Sequence, residues 1–444
     1  MTVSRTICLG FLAVIAIGTV LLMLPFSTVD SNVDFVTSLF TSTSAVCVTG
    51  LIVVDTGSYY TFWGELFIVI LIQVGGLGYM TATTFLLMLL GLRFGLREKI
   101  AIQQSLDTPG ISGMGSLIRS IIAFTLVFEI AGAIFMFPVF VEDYGIPYAL
   151  WLAIFHSISA FNNAGFSLFA NSLIDYATSI PINIIIPGLI IFGGIGYQVI
   201  MEWFLWLRDR LTRKQARVVF SLNVKIVTST TLFLLIVGTI TMLITEFQNP
   251  ETLGGLALGE KIMIAWFQGV MPRTAGFNSI DYGQMTQAAL FITIALMFIG
   301  ASPGSTGGGI KTTTLRILFS STKAVLQGKE EVLCYQRQIP FSLVLKAVGV
   351  VFGSVMTVVG ATTLIALTDP EIGFIRILFE SVSAFATVGL STGITAALSI
   401  LGKLVLIVTM YVGRVGVLLL MAALLGDPTP PSTVRYPEEN LLVG

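Results

Sequence analysis

Four glycines, Gly50, Gly165, Gly276 and Gly389, close four look-alike segments and carry the chemistry this sequence is best equipped for. The segments read FTSTSAVCVTGL (40–51), FHSISAFNNAGF (155–166), WFQGVMPRTAGF (266–277) and FESVSAFATVGL (379–390). In each, an aromatic residue stands ten positions before the glycine, and Leu or Phe follows it. The glycines are 115, 111 and 113 residues apart, and Ser-Ala recurs at Ser44, Ser159 and Ser383, with Val270 and Met271 in the third copy. Glycine takes φ > 0 without a side-chain clash, which lets successive carbonyls turn to one side. A ring of backbone carbonyls can then replace the water around a dehydrated cation such as K⁺. The expected coordinating residues are Cys47, Val48, Thr49 and Gly50; Asn162, Asn163, Ala164 and Gly165; Arg273, Thr274, Ala275 and Gly276; and Ala386, Thr387, Val388 and Gly389. Their side chains differ between copies, as they can when main-chain oxygens are the ligands. Asn162 and Asn163 are expected to brace the second segment rather than to coordinate.

The elements that position these residues follow from composition. Of 444 residues 55% are apolar and 11% charged, with a mean hydropathy of +0.93. A spanning helix needs about 20 mainly apolar residues, and eight such stretches alternate with four shorter, more polar ones. At 1.5 Å per residue, ten to fifteen residues reach only ~15–22 Å, too little to cross a hydrocarbon core of ~30 Å. The short segments must therefore re-enter, and the non-helical backbone after them must line a cavity or be buried in protein. The expected fold is an all-α membrane protein: four helix–pore-loop–helix pseudo-repeats, with eight spanning helices and four re-entrant pore helices around one central pore. The repeats are placed at 1–98, 99–215, 216–335 and 336–444. The first apolar run, 6–25, reads as a span, since no small-residue cleavage site follows it. Cys8, Cys47 and Cys334 have neither pairing nor metal-ligand spacing.

Within the third repeat, GASPGSTGGGIKTTT (300–314) places five glycines and Pro303 inside an apolar run, where helix cannot persist. The run resembles a phosphate-binding loop only superficially, because Ile310 separates Gly309 from Lys311 and no strand precedes it. The expected role is a gate across the pore, built from Gly300, Ala301, Ser302, Pro303, Gly304, Ser305, Thr306, Gly307, Gly308, Gly309 and Lys311. Arg414 lies midway through the last apolar stretch, where a charge is costly without partner or water. It is expected to face the pore and add to the barrier; Gly75–Gly78 and Gly193–Gly196 occupy the matching positions of repeats one and two without an arginine. Glu380 and His156 are expected to anchor pore helices, while Glu65 and Glu129 have no partner legible in sequence.

Charge sets orientation. Of 23 Lys and Arg, 17 fall in one set of loops, which the positive-inside rule assigns to the cytoplasm together with both termini. The other loops are acidic, with Asp30, Asp34, Asp55, Glu142 and Asp143 among them, and would concentrate cations at an outer mouth. A secondary transporter with alternating access is the competing reading, but its repeats are commonly two and inverted, whereas all four units here share one orientation. An enzyme finds no support: His156 is the one histidine, and no carboxylate pair has metal-ligand spacing.

The fourfold motif, with PRTAGFNSID (272–281) and SAFATVGLSTG (383–393), resembles the Ktr/Trk/HKT superfamily of K⁺ transporters over essentially the whole chain, and is most similar to its KtrB-like membrane subunits. The resemblance implies K⁺ uptake across the plasma membrane, with Na⁺ as an additional or coupling ion and no organic cofactor. Relatives with serine at the first filter position tend to favour Na⁺, so Gly50 implies K⁺. It further implies a homodimer and a cytosolic ring of nucleotide-binding, KtrA-like regulatory subunits. No nucleic-acid partner is expected. The tail 436–444 is a candidate dimer or partner contact.

Overall fold

The computed structural model describes residues 3–30, 33–78, 81, 114–212 and 219–425. The tail 436–444 and the basic residues Arg93, Arg97, Lys99, Arg213, Lys214 and Arg217 lie outside the described residues. Four long apolar helices form the periphery: Val3–Leu22, Met114–Asp143, Leu222–Glu246 and Phe341–Thr368. Each exceeds the length needed to span a bilayer, and much of its surface is exposed apolar side chain, such as Ile17, Val127, Phe233 and Phe352. These are the outer helices of four pseudo-repeats.

Each is followed by a shorter, largely buried helix: Phe35–Val46, Ile146–Phe161, Leu258–Val270 and Phe374–Ala386. Their serines explain the seating. Ser42 Oγ donates to Ile15 O (2.8 Å) and Ser157 Oγ to Glu129 O (2.6 Å), so a pore-helix hydroxyl occupies an outer-helix carbonyl in repeats one and two. Gly18 and Gly132 make room at those contacts, since a Cβ on either would strike the serine hydroxyl.

The third element of each repeat is an inner helix, and here the structure departs from the expectation of one interrupted helix. The first legs, Phe62–Leu77, Ile180–Ile195, Gln287–Phe298 and Ile400–Val415, have 16, 16, 12 and 16 residues. At 1.5 Å per residue even the longest reaches only ~24 Å. They end at Gly78, Gly196 and Gly416, all with positive φ, and in repeat three at the glycine-rich loop. Helix resumes at Tyr197–Leu211 after a 105° bend and at Val417–Leu425 after 94°. A glycine pair three positions apart, Gly-Gly-x-Gly in repeats one and two and Gly-Arg-Val-Gly in repeat four, is the sequence signal for these breaks. Its first glycine serves packing: a Cβ on Gly75, Gly193 or Gly413 would meet the carbonyl of Val46, Phe161 or Phe385 at the end of that repeat's pore helix.

The repeats close into a ring. Each inner helix packs on the pore helix of the following repeat, and the fourth packs back on the first. Where the third outer and inner helices meet, buried Glu246 accepts from Asn249 Nδ2 (2.6 Å), Thr252 Oγ1 (2.7 Å), and Thr286 N–H (3.0 Å) and Oγ1 (2.6 Å). Asp369 does the same in repeat four, accepting from Ser399 N–H (2.6 Å) and Oγ (2.9 Å). One small antiparallel ribbon, Leu333–Cys334 with Arg337–Gln338, follows the second leg of repeat three. Glu246→Ala leaves those half-buried donors without their acceptor, at a cost of about 2 kcal/mol. Thermal unfolding in detergent should show a melting temperature lowered by several degrees, and an unchanged one would contradict this account of the junction.

Candidate functional site: a fourfold backbone ring and the loop against it

The pore helices deliver their C-terminal ends to one place, and the non-helical backbone that follows is built the same way four times. Cys47 and Asn162 are C-caps with helical angles, and Ala386 is the last residue of its helix. In repeats one, two and four the first member of the expected set thus closes the helix, whereas the third pore helix ends at Val270 with Met271 as its cap and Arg273 already lies beyond it; in all four the left-handed residue comes next. Those next residues are Val48, Asn163, Thr274 and Thr387, with φ of 57°, 58°, 63° and 51°. Two positions on, Gly50, Gly165, Gly276 and Gly389 are again positive, at 91°, 69°, 76° and 91°. Alternating the sign of φ turns successive peptide planes so that their oxygens share a side. Sequence reasoning found the glycine and missed its partner, because Val, Asn and Thr do not announce a left-handed residue. For a β-branched side chain that conformation is an outlier that persists only where the surroundings enforce it.

The enforcement is visible in the N–H groups. Thr49, Ala164 and Val388 donate back to Ser44 O (2.8 Å), Ser159 O (2.7 Å) and Ser383 O (2.9 Å). Gly50 and Gly389 N–H donate to the hydroxyls of Ser44 and Ser383 (both 3.1 Å), while Ser159 Oγ donates forward to Phe166 O (2.7 Å). The recurring Ser-Ala therefore holds the donors on the helix side. In the third copy Val270 replaces the serine and Ala275 N–H reaches Met271 O (3.1 Å), one residue closer. The side-chain phase of the third pore helix is accordingly shifted by one residue, so that Phe267, not the aligned Trp266, is its fully buried aromatic, while the helix itself ends at Val270.

The carbonyls face the other way and meet. A Cβ on Gly165 would lie 2.9 Å from Ala275 O and 2.7 Å from Gly276 Cα; one on Gly276 would lie 2.7 Å from Val388 O. A Cβ on Gly389 would strike Thr49 O, and one on Gly50 would strike Ala164 O. The order runs one, two, three, four and back to one. Four glycines stand around one axis, and the carbonyl before each faces its neighbour's Cα, leaving no room for a side chain.

Polar braces surround the ring. In repeats two, three and four a pore-helix side chain reaches across eleven residues to a serine past the glycine: His156 Nε2 with Ser167 Oγ (3.0 Å), Gln268 Nε2 with Ser279 Oγ (3.0 Å), and Glu380 with Ser391 Oγ. Glu380 also accepts from Thr392 N–H (3.2 Å) and Thr395 Oγ1 (3.2 Å). Asn162 Nδ2 is shared by Gln73 Oε1 and Glu129 Oε1 (both 2.9 Å), and Trp151 Nε1 donates to Glu65 (2.5 Å). These name the partners of both acids, across the junction of repeats one and two. Asn163 Nδ2 ties the second segment to the third through Arg273 O (3.1 Å) and Thr274 Oγ1 (3.3 Å). Arg273 points away from the ring, donating from Nη1 to Ile299 O (3.2 Å). At the far end of the first pore helix Asp34 caps Thr37; that hydroxyl's hydrogen bond holds the Asp34 carboxyl below the ordinary aspartate range, so it stays ionised.

The glycine-rich loop lies against the inner end of this assembly, and helix resumes at Thr312, so Thr313 and Thr314 of the expected stretch are helical. It is strapped to the second inner-helix break: Ser302 N–H donates to Gly194 O (3.0 Å), Thr306 N–H to Gly193 O (3.3 Å), and Tyr197 N–H to Gly304 O (3.0 Å). Ala301 N–H to Gly308 O (3.2 Å), Ser305 Oγ to Ser302 O (2.6 Å), Thr312 Oγ1 to Ser302 Oγ (2.9 Å) and Lys311 Nζ to Gly307 O (2.8 Å) fold it on itself. Arg414 clamps it from the fourth repeat, donating from Nη1 to Thr306 O and from Nη2 to Gly75 O. One guanidinium thus ties the fourth inner helix, the loop and the end of the first inner helix together.

Four pore loops, a ring of carbonyls and a glycine-rich loop packed against it are the architecture of a membrane transport protein for cations. The chain belongs to the TrkH family of cation transport proteins, whose profile matches residues 4–425. It is 39% identical over 443 residues to the Ktr system potassium uptake protein B of Bacillus subtilis, covering 100% of this chain and 97% of that one. It is 38% identical over 445 residues to the potassium/sodium uptake protein NtpJ of Enterococcus hirae, covering 99% and 97%. The crystal structure of the potassium transporter TrkH from Vibrio parahaemolyticus shares the fold, with a TM-score of 0.71 at 20% identity over 94% of this chain and 85% of that one. Removing the clamp with Arg414→Ala should raise cation flux into proteoliposomes about tenfold, the factor that ~1.4 kcal/mol of lost bonding to the docked loop gives. Arg414→Lys should not restore the wild-type rate, because a single ammonium cannot reproduce the guanidinium fork; wild-type flux in both would contradict the clamp.

Proposed function

We infer that this chain is the pore-forming membrane subunit of a K⁺ uptake system. The observation that carries the reading is the closed ring of Thr49, Ala164, Ala275 and Val388 carbonyls, each against the preceding repeat's glycine. Four such oxygens, with no side chain among them, supply a hydration-like shell to a monovalent cation. The pore helices aim their negative ends at the same point, which favours cations over anions. The residues at the four filter segments act as the ion path, with Cys47, Asn162 and Ala386 as the helix ends that position it and Arg273 just past the end of the third. Residues 300–311 with Arg414 act as the gate.

Repeat boundaries at 1–98, 99–215, 216–335 and 336–444 are supported by the recurrence of outer, pore and inner helices. Residence in the plasma membrane with both termini in the cytoplasm is supported by the charge asymmetry. As a Ktr-type membrane subunit, the chain would work as a homodimer on a cytosolic ring of nucleotide-binding regulatory subunits. Relatives described as potassium uptake proteins support K⁺ as the cargo, and the potassium/sodium uptake relative supports Na⁺ as a second ion. Four units in one orientation around one axis favour a gated pore over alternating access between two inverted halves.

⁸⁶Rb⁺ uptake into proteoliposomes, with K⁺ or Na⁺ as competitor, tests the reading. Gly50→Ser places a side chain against Ala164 O and should lower the K⁺ over Na⁺ preference about tenfold, the effect of ~1.4 kcal/mol at one of four ligand positions. An unchanged preference in folded protein would remove the first segment from the filter.

A further inference from the structure

The loop does more than obstruct. Gly308 N–H donates to Thr387 Oγ1 (3.1 Å), and Thr306 Oγ1 donates to Asn163 Oδ1 (3.3 Å). A Cβ on Gly307 would lie 3.1 Å from Thr274 Cβ, and one on Gly309 would lie 3.3 Å from Ala386 Cα. Thus the loop touches three of the four left-handed residues, and it does so through their side chains. All three are fully buried. These are the strained positions, which hold a sparsely populated backbone conformation only while their neighbours enforce it.

We propose that the docked loop is a working part of the filter: it holds Asn163, Thr274 and Thr387 in the left-handed conformation, so that release of the loop both opens the path and relaxes the preference for K⁺ over Na⁺. Thr387 and Thr306 are then positioning residues for selectivity, acting through backbone oxygens they do not themselves supply. The inference rests on the filter and gate assignments above. Because coupling between two equilibria is reciprocal, a cation that fits the ring also favours the docked loop. K⁺ in the ring should therefore protect the loop more than Na⁺ does.

The test uses the full chain in proteoliposomes, reading K⁺ and Na⁺ flux separately. Thr387→Val keeps the shape and removes the hydroxyl; it should raise total flux and lower the K⁺/Na⁺ ratio about fivefold, the equilibrium factor of one hydrogen bond. Thr387→Ser retains the hydroxyl and should return both values towards wild type. Deleting residues 307–309 alters no filter residue, yet should lower the ratio as it raises flux. Should Thr387→Val fail to give a monodisperse protein, Thr306→Val breaks the matching contact from the loop side and carries the same expectation. A deletion that raises flux at the wild-type ratio overturns the coupling and leaves the gate standing; a folded deletion protein with unchanged flux removes the gate and the coupling together. Maleimide labelling of Ser305→Cys should be roughly fivefold slower in K⁺ than in Na⁺, and equal rates would contradict the proposal independently of flux.

Discussion

The structure depends on one backbone constraint: a peptide segment at membrane depth whose N–H groups all turn one way and whose carbonyls all turn the other. Lipid offers no hydrogen bonds, so such a segment survives only when each donor is answered by protein. Here the answers come from the pore helix that precedes it, through the carbonyl and hydroxyl of Ser44 and Ser383 and the carbonyl of Ser159. The unanswered side of each segment is its oxygen face. Repeated four times about an axis, that face is the cation-binding surface we propose.

Much of the remaining architecture follows from holding four such segments close. Glycine at the ring is a matter of space as much as of φ, since each Cβ would enter the neighbouring backbone. Inner-helix glycines let those helices press on the pore-helix ends, and serine-to-carbonyl bonds seat the pore helices on the outer ones. The third repeat departs from the others at three places: it lacks the serine, the side chains of its pore helix are shifted by one residue relative to the glycine, and its inner helix opens into the loop. The repeat that supplies the obstruction is thus also the one whose filter is braced from outside, by Asn163 of repeat two.

The ring was legible in sequence because glycine is the sole residue type that meets both demands there, so it survives in every copy while its neighbours drift. The left-handed residue two positions earlier was not legible. Its conformation is imposed by surroundings rather than by its own side chain, and three of the four, Val48, Thr274 and Thr387, are β-branched residues that ordinarily avoid it. The glycine-rich loop declared itself through composition, and Arg414 through the cost of a charge in an apolar run. The partners of both the loop and the arginine are backbone carbonyls, which carry no sequence signature. The breaks at Gly78, Gly196 and Gly416 were written in the repeated Gly-x-x-Gly, yet a glycine inside an apolar helix also reads as a packing residue, and here Gly75, Gly193 and Gly413 play that role. The acids Glu65 and Glu129 were conspicuous, but their partners Trp151 and Asn162 come from another repeat or another helix.

The central claim concerns an ion and four oxygens, and the most direct measurement locates that ion. Anomalous scattering from crystals of the membrane-embedded protein grown in Rb⁺ should give a peak on the pseudo-fourfold axis, at coordinating distance from the carbonyl oxygens of Thr49, Ala164, Ala275 and Val388. A peak bound elsewhere, by side-chain carboxylates away from the axis and with none among those oxygens, would contradict the account.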